Sequence, residues 1–114
     1  MRTLIAAIVL AALPAMTAMA GEMTGYISDS QCATASAKAA TAAEWINPNE
    51  FESCVKKCVK AGSPVVFVTT DNKILKIDAD SMKSVTPHLG HKVTVSGKVE
   101  NGTLKVDSIQ SIKM

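Results

Sequence analysis

The sequence predicts a mainly β domain of five strands, with a helical segment between the first two and a short helix between the third and fourth. Three observations carry that prediction. Apolar and polar residues alternate over His91–Glu100. Asn101-Gly102, between two such runs, is a two-residue hairpin signal. Helical spacing stops at Gly62, and strand patterns follow from Ser63 on.

The N-terminal stretch sets the expected compartment. Arg2 is positive, Leu4–Leu13 is an unbroken apolar run, Pro14 ends it, and Ala18-Met19-Ala20 is a small-x-small site. This pattern predicts a secretory signal peptide over 1–20, cleaved before Gly21. The run is too short for a bilayer span, so no stable membrane anchor is expected after cleavage. No Cys follows the cleavage point, so lipid attachment is not indicated. A single domain over 21–114 is expected outside the cytoplasm, periplasmic or extracellular.

Glu22–Ser28 alternates and carries Tyr26 and Ile27, a first strand that Asp29-Ser30-Gln31 ends. Residues 33–43 are Ala, Thr and Ser with one Lys. Alanine favours helix, but nothing large is there to dock it, so the tract reads as a loosely held helix or a mobile loop. Asn47-Pro48-Asn49-Glu50 predicts a helix start, with Asn47 as cap and Glu50 at the capping-box position. The helix runs from Pro48 to Ala61. Phe51, Val55 and Cys58 lie near the middle of its apolar arc, Cys54 on the flank, and Lys56, Lys57 and Lys60 opposite.

Val65–Thr70 and Lys73–Asp78 flank Asp71-Asn72, a hairpin. Asp80–Leu89 is a short connection with about one helical turn. In His91–Glu100, Val93, Val95, Gly97 and Val99 share one face. Thr103–Ile112 returns with Leu104 and Val106 inward. Ile109 falls out of phase with them, which predicts a bulge or corner near Asp107-Ser108.

This order of strands, with the short helix before the fourth, resembles the OB-fold, a five-stranded Greek-key barrel. More narrowly, three segments are similar to small exported bacterial proteins of uncharacterised function, of a three-cysteine type. They are Gly25-Tyr26-Ile27-Ser28-Asp29-Ser30-Gln31-Cys32, then Cys54-Val55-Lys56-Lys57-Cys58-Val59-Lys60-Ala61-Gly62, then Val65-Val66-Phe67-Val68. The resemblance implies fold and location and carries no activity.

Composition removes several functions. Without Arg2, 11 Lys and no Arg stand against 10 acids, so no basic field recruits nucleic acid. Four aromatics remain, Tyr26, Trp45, Phe51 and Phe67, and Phe67 lies in an apolar run that reads as core. Nucleic acid is therefore not an expected partner. A small ligand, a polymer or an envelope protein stays open. No nucleophile elbow accompanies the histidines, Asp78 and Asp80 read as solvated turn carboxylates, and the scattered glycines form no phosphate loop. No catalytic residue is assigned.

Three cysteines, Cys32, Cys54 and Cys58, carry what chemistry remains. In an oxidising compartment one disulfide and one spare thiol are expected. Cys32 follows strand one and Cys58 precedes strand two, which favours a Cys32–Cys58 bridge, with Cys54 the alternative partner. Either closes a loop of about 23–27 residues, worth roughly 3 kcal/mol. A Cys54–Cys58 bridge suits a regular helix poorly. The expectation is a non-enzymatic exported binding or envelope-stress module without cofactor. The alternative is a thiol-based redox or copper protein, in which Cys54 and Cys58 act with Cys32, His88 or His91, since soft thiolates select Cu(I).

Overall fold

A computed structural model describes residues 18–114. The leader features Arg2, Leu4–Leu13 and Pro14 lie outside the described residues. Five strands, β1 (Ala18–Asp29), β2 (Val65–Thr69), β3 (Ile74–Ile77), β4 (Lys92–Glu100) and β5 (Thr103–Ile112), form one mixed sheet. It closes on itself in the order β1-β2-β3-β5-β4. All pairs are antiparallel except β3 with β5, which is parallel. Helix α1 (Ser30–Ala35) and helix α2 (Phe51–Lys60) fill the connection between β1 and β2, and α3 (Met82–Val85), flanked by 3-10 turns, fills that between β3 and β4.

The long β1 holds the ring together, pairing along β2 from Gly25 to Asp29 and along β4 from Ala18 to Tyr26. It starts earlier than expected, so Ala18, Met19 and Ala20 of the expected cleavage site pair with Glu100, Val99 and Lys98. Alternation explains the core. Ile27 lies opposite Phe67, and both are fully buried, as are Val93 and Leu104, with Val95 nearly so. Tyr26 and Val68 fall on the other face. There α2 covers the sheet, and Phe51 meets the Tyr26 ring edge-on at 6.0 Å. Phe67 is core, as its sequence context predicts.

The shift of phase in β5 is a bulge: Ser96 pairs with Ser108, but Gly97 pairs with Val106, leaving Asp107 as the extra residue. This returns Ile109 to face Val95. The expected hairpins form at Asp71-Asn72 and Asn101-Gly102, with Asn72 and Asn101 at positive φ.

Two expectations need correction. The helix starts at Phe51, not at Pro48. Asn47 closes a local turn instead, accepting from its own neighbour Asn49 N–H at 2.9 Å, while its carbonyl accepts from Glu50 and Phe51. An Asn side chain satisfied within its own turn cannot also cap a helix. The 33–43 tract is not loosely held. Ala33 and Ala42 are buried, Ile46 is in the core, and the Asn72 side chain bonds the carbonyls of Ser36 and Ala39. The small residues allow close approach that a larger side chain would prevent.

Candidate metal centre

The end of β1 places the first thiol. Asp29 is fully buried and caps α1: its Oδ2 accepts from Cys32 N–H at 3.1 Å and from Ser63 Oγ–H at 2.9 Å. Ser63 Oγ accepts from Gln31 N–H, and Ser30 N–H donates to the Pro64 carbonyl. The first turn of α1 is thus stitched to the residues that leave α2. The exit of α2 is itself a Schellman turn. Gly62 takes a φ of 110°, its N–H meets the Val59 carbonyl, and Ser63 N–H meets that of Cys58. That turn presents Ser63 to Asp29 and so ties Cys58 to Cys32.

Helix α2 supplies the other two thiols from successive turns. Phe51 and Val55 bury its apolar stripe, Cys58 and Val59 are half-buried, Cys54 is exposed, and Lys56, Lys57 and Lys60 face solvent. The result is a triangle of sulfurs. Cys32 Sγ stands 3.6 Å from Cys54 Sγ and 3.9 Å from Cys58 Sγ, and all three lie within 4.8 Å of one another. All three are free thiols in this structure, with Cys32 at the vertex. Burial, helped by the Asp29 carboxylate and the two neighbouring thiols, pushes the Cys32 thiol well above its ordinary pKa. Both Asp29 oxygens are buried, and Oδ1 has no hydrogen-bond partner.

Beside the triangle is an open cavity of about 260 Å³, walled by Cys32, Cys54, Trp45 and Phe51, with Asn47 and Glu50 also lining it. Trp45 and Phe51 meet edge-on at 5.9 Å.

The structure brings the three cysteines together and places His88 and His91 elsewhere. Both imidazoles meet Ser111, through His88 Nδ1 at 2.6 Å and His91 Nδ1 at 2.8 Å. Among the described residues, no histidine or carboxylate joins the thiol group. Burial and the neighbouring His91 lower the His88 pKa. Lys56 and His91 hydrogen-bond the Glu52 carboxylate and hold its pKa below the ordinary value. Sequence reasoning missed Asp29, Ser63, Asn72, Glu52 and Ser111. Only Asp29 carried a signal: an acidic residue three before Cys32, the spacing of a helix cap.

No family model, curated protein or solved structure matches the chain.

Proposed function

We propose that this chain is an exported OB-like barrel domain that binds one soft metal ion, Cu(I), through Cys32, Cys54 and Cys58. The observation that carries the reading is the convergence of three thiol sulfurs from two separate helices. Thiolates about 2.3 Å from a shared ion stand roughly 3.8–4.0 Å apart, for tetrahedral and trigonal arrangements. The two Cys32 separations, 3.6 and 3.9 Å, lie within about 0.2 Å of that spacing. Thiolate sulfur selects Cu(I). A set of three without a fourth nitrogen or oxygen suits a trigonal ion better than Zn(II), whose structural sites are four-coordinate. The ring order β1-β2-β3-β5-β4, with α3 before β4, supports the OB-like Greek-key reading. The resemblance to small exported three-cysteine proteins rests on the segments 25–32, 54–62 and 65–68.

A second reading follows from the same vertex. Cys32 lies near both Cys54 and Cys58, so an oxidising compartment would join it to one and leave the other free. The domain would then be a stapled binding module, and the cavity beside Cys54 its ligand site.

The two readings separate experimentally. Reduced exported protein, titrated anaerobically with Cu(I) against a chromophoric chelator, should take up one ion per chain. It should also develop an ultraviolet thiolate-to-copper band. Replacing any one of the three cysteines by Ser should weaken retention by orders of magnitude. Failure to hold Cu(I), or equal retention after Cys32→Ser, would refute the metal reading. Alkylation mass spectrometry showing one fixed bridge and one thiol, resistant to Cu(I), would favour the staple.

A further inference from the structure

We propose that Ser111 is an activated nucleophile, and that Glu52, His91 and Ser111 form an acyl-accepting site for small carboxylic esters. Its residues lie outside the thiol group, with Glu52 two positions before Cys54 on α2. Its three residues come from three elements: Glu52 from α2, His91 from the residue before β4, and Ser111 from the end of β5.

The hydrogen bonds define one direction for every proton. His91 Nε2 lies 3.1 Å from Glu52 Oε2, and Lys56 Nζ donates to that same oxygen at 2.7 Å. An ionised carboxylate only accepts, so Nε2 of His91 carries the hydrogen. In a neutral imidazole Nδ1 is then the acceptor, and Ser111 Oγ, 2.8 Å away, must donate its proton there. The hydroxyl has one proton, so the contact with His88 Nδ1 at 2.6 Å is donation from His88 to the oxygen. One lone pair of Oγ remains free. This is the disposition of a base-activated serine: base on the nucleophile, and a carboxylate orienting the base.

The backbone holds the base in register. Ile27 N–H donates to the His91 carbonyl at 3.1 Å, and Gly90 N–H donates to the Ile27 carbonyl at 2.8 Å. Gly90 lies directly against α2, where a Cβ would overlap Glu52 Cα. The approach of His91 to Glu52 is therefore set by a backbone contact rather than by two flexible side chains. Ser111 is exposed, so an ester reaches it from solvent.

In the step proposed, Ser111 Oγ bonds the carbonyl carbon and its proton passes to His91 Nδ1. Glu52, acting through His91 as a positioning residue, stabilises the imidazolium. The bond from carbon to the leaving oxygen breaks, and that oxygen takes the proton from His91 as an alcohol departs. Water then attacks the acyl-Ser111, giving up a proton to His91. Ser111 leaves with it, and a carboxylic acid is released.

A fluorophosphonate reports on the first half of this sequence. Oγ–P forms, P–F breaks, fluoride leaves, and the proton goes through His91 to solvent. The exported protein treated with such a reagent should carry one adduct, mapped to Ser111 and not to the exposed Ser84 or Ser108. An aryl acetate should leave an acetyl group on Ser111. His91→Gly should slow labelling about a hundredfold or more, the scale of general-base assistance, and added imidazole should restore it. Glu52→Gln should slow labelling and Glu52→Asp should restore part of the rate, a rescue that partial unfolding would not produce. No adduct, adducts spread equally over Ser84, Ser108 and Ser111, or an unchanged rate in His91→Gly would overturn the proposal.

Discussion

The side chain of Asn72 makes three hydrogen bonds, all to one segment of the helical insertion. Its Nδ2 donates to the carbonyls of Ser36 and Ala39, at 2.9 and 2.8 Å, and its Oδ1 accepts from Trp45 Nε1 at 2.8 Å. It does this from a hairpin turn, at a φ of 64°. Asn72→Ala strands one indole N–H and two carbonyls, and puts an alanine at positive φ. Urea unfolding should show a loss of about 2–4 kcal/mol. Asn72→Gly keeps the turn and loses only the bridge, so it should fall between that variant and the wild type. An Asn72→Ala curve superimposable on wild type would show that the bridge does not hold the insertion. Sequence pattern could not reveal this residue as an anchor. Its turn role was legible, but its partners lie 27 to 36 residues away, and side-chain reach across such a gap has no period. The cysteines were legible as a set. Their triangle depends on Asp29 and Ser63, which a one-dimensional pattern does not connect. His88 adds a titration at the same scale. Its pKa is lowered, so the unfolded chain binds its proton more readily than the folded one. Stability is then fully present above the ordinary imidazole value of 6.5 and is lost as pH falls from there through the lowered value. The carboxylate of Glu52 titrates below its ordinary 4.5, so its contribution belongs to a more acidic window. Urea midpoints should decline below about pH 6.5, and His88→Gln should flatten that decline. An identical slope in the variant would reassign it to another group.

Among the elements, α2 carries the most consequence, because one face anchors the domain and its flank carries two thiols. Phe51 and Val55 are buried, and Phe51 touches Tyr26 of β1 and Trp45 of the insertion. Phe51→Ala should cost about 3–5 kcal/mol. Lys57→Ala, on the solvated face, should change stability by less than about 0.5 kcal/mol. Chemical denaturation of the two variants side by side checks the face, and equal effects would mean it is wrongly drawn. The apolar period made this face readable from sequence, and it did not depend on where the helix begins. The start did, and it moved to Phe51 because Asn47 spends its side chain on a local turn. The bulge in β5 was readable for a similar reason. One extra residue reverses the alternation, so Ile109 betrays Asp107. The insertion's alanines offered no such signal. They pack by being small, and smallness also describes a loop.

In the molecule as a whole, the ring has one weak seam. β1 and β4 share nine paired positions, from Ala18 with Glu100 to Tyr26 with Lys92, and β4 and β5 share nine more. The parallel contact that closes the ring, β3 with β5, has two: Lys76 with Thr103 and Ile77 with Leu104. The N–H groups of Lys76 and Asp78 reach across, to the carbonyls of Gly102 and Leu104, both at 2.9 Å. The β3 side chains at the seam are half-buried or exposed, whereas β1 and β4 bury Ile27, Val93 and Val95. Opening there breaks few hydrogen bonds and leaves the buried Leu104 paired with Val99 of β4, so it should occur without global unfolding. Native-state hydrogen exchange should show the amides of Lys76 and Asp78 exchanging well before those paired between β1 and β4. Their exchange should depend little on low denaturant, while the β1–β4 amides follow the global stability. The thiol triangle lies in the connection between β1 and β2, so a bound Cu(I) should protect α1 and α2 more than the seam, although Ser30 and Pro64 share a cavity wall with Lys76 and Ile77. Seam amides as protected as those of β1 would mean that the two-residue pair carries the closure after all. Protection of the seam equal to that of α1 and α2 on metal binding would mean that the ring opens only as a unit.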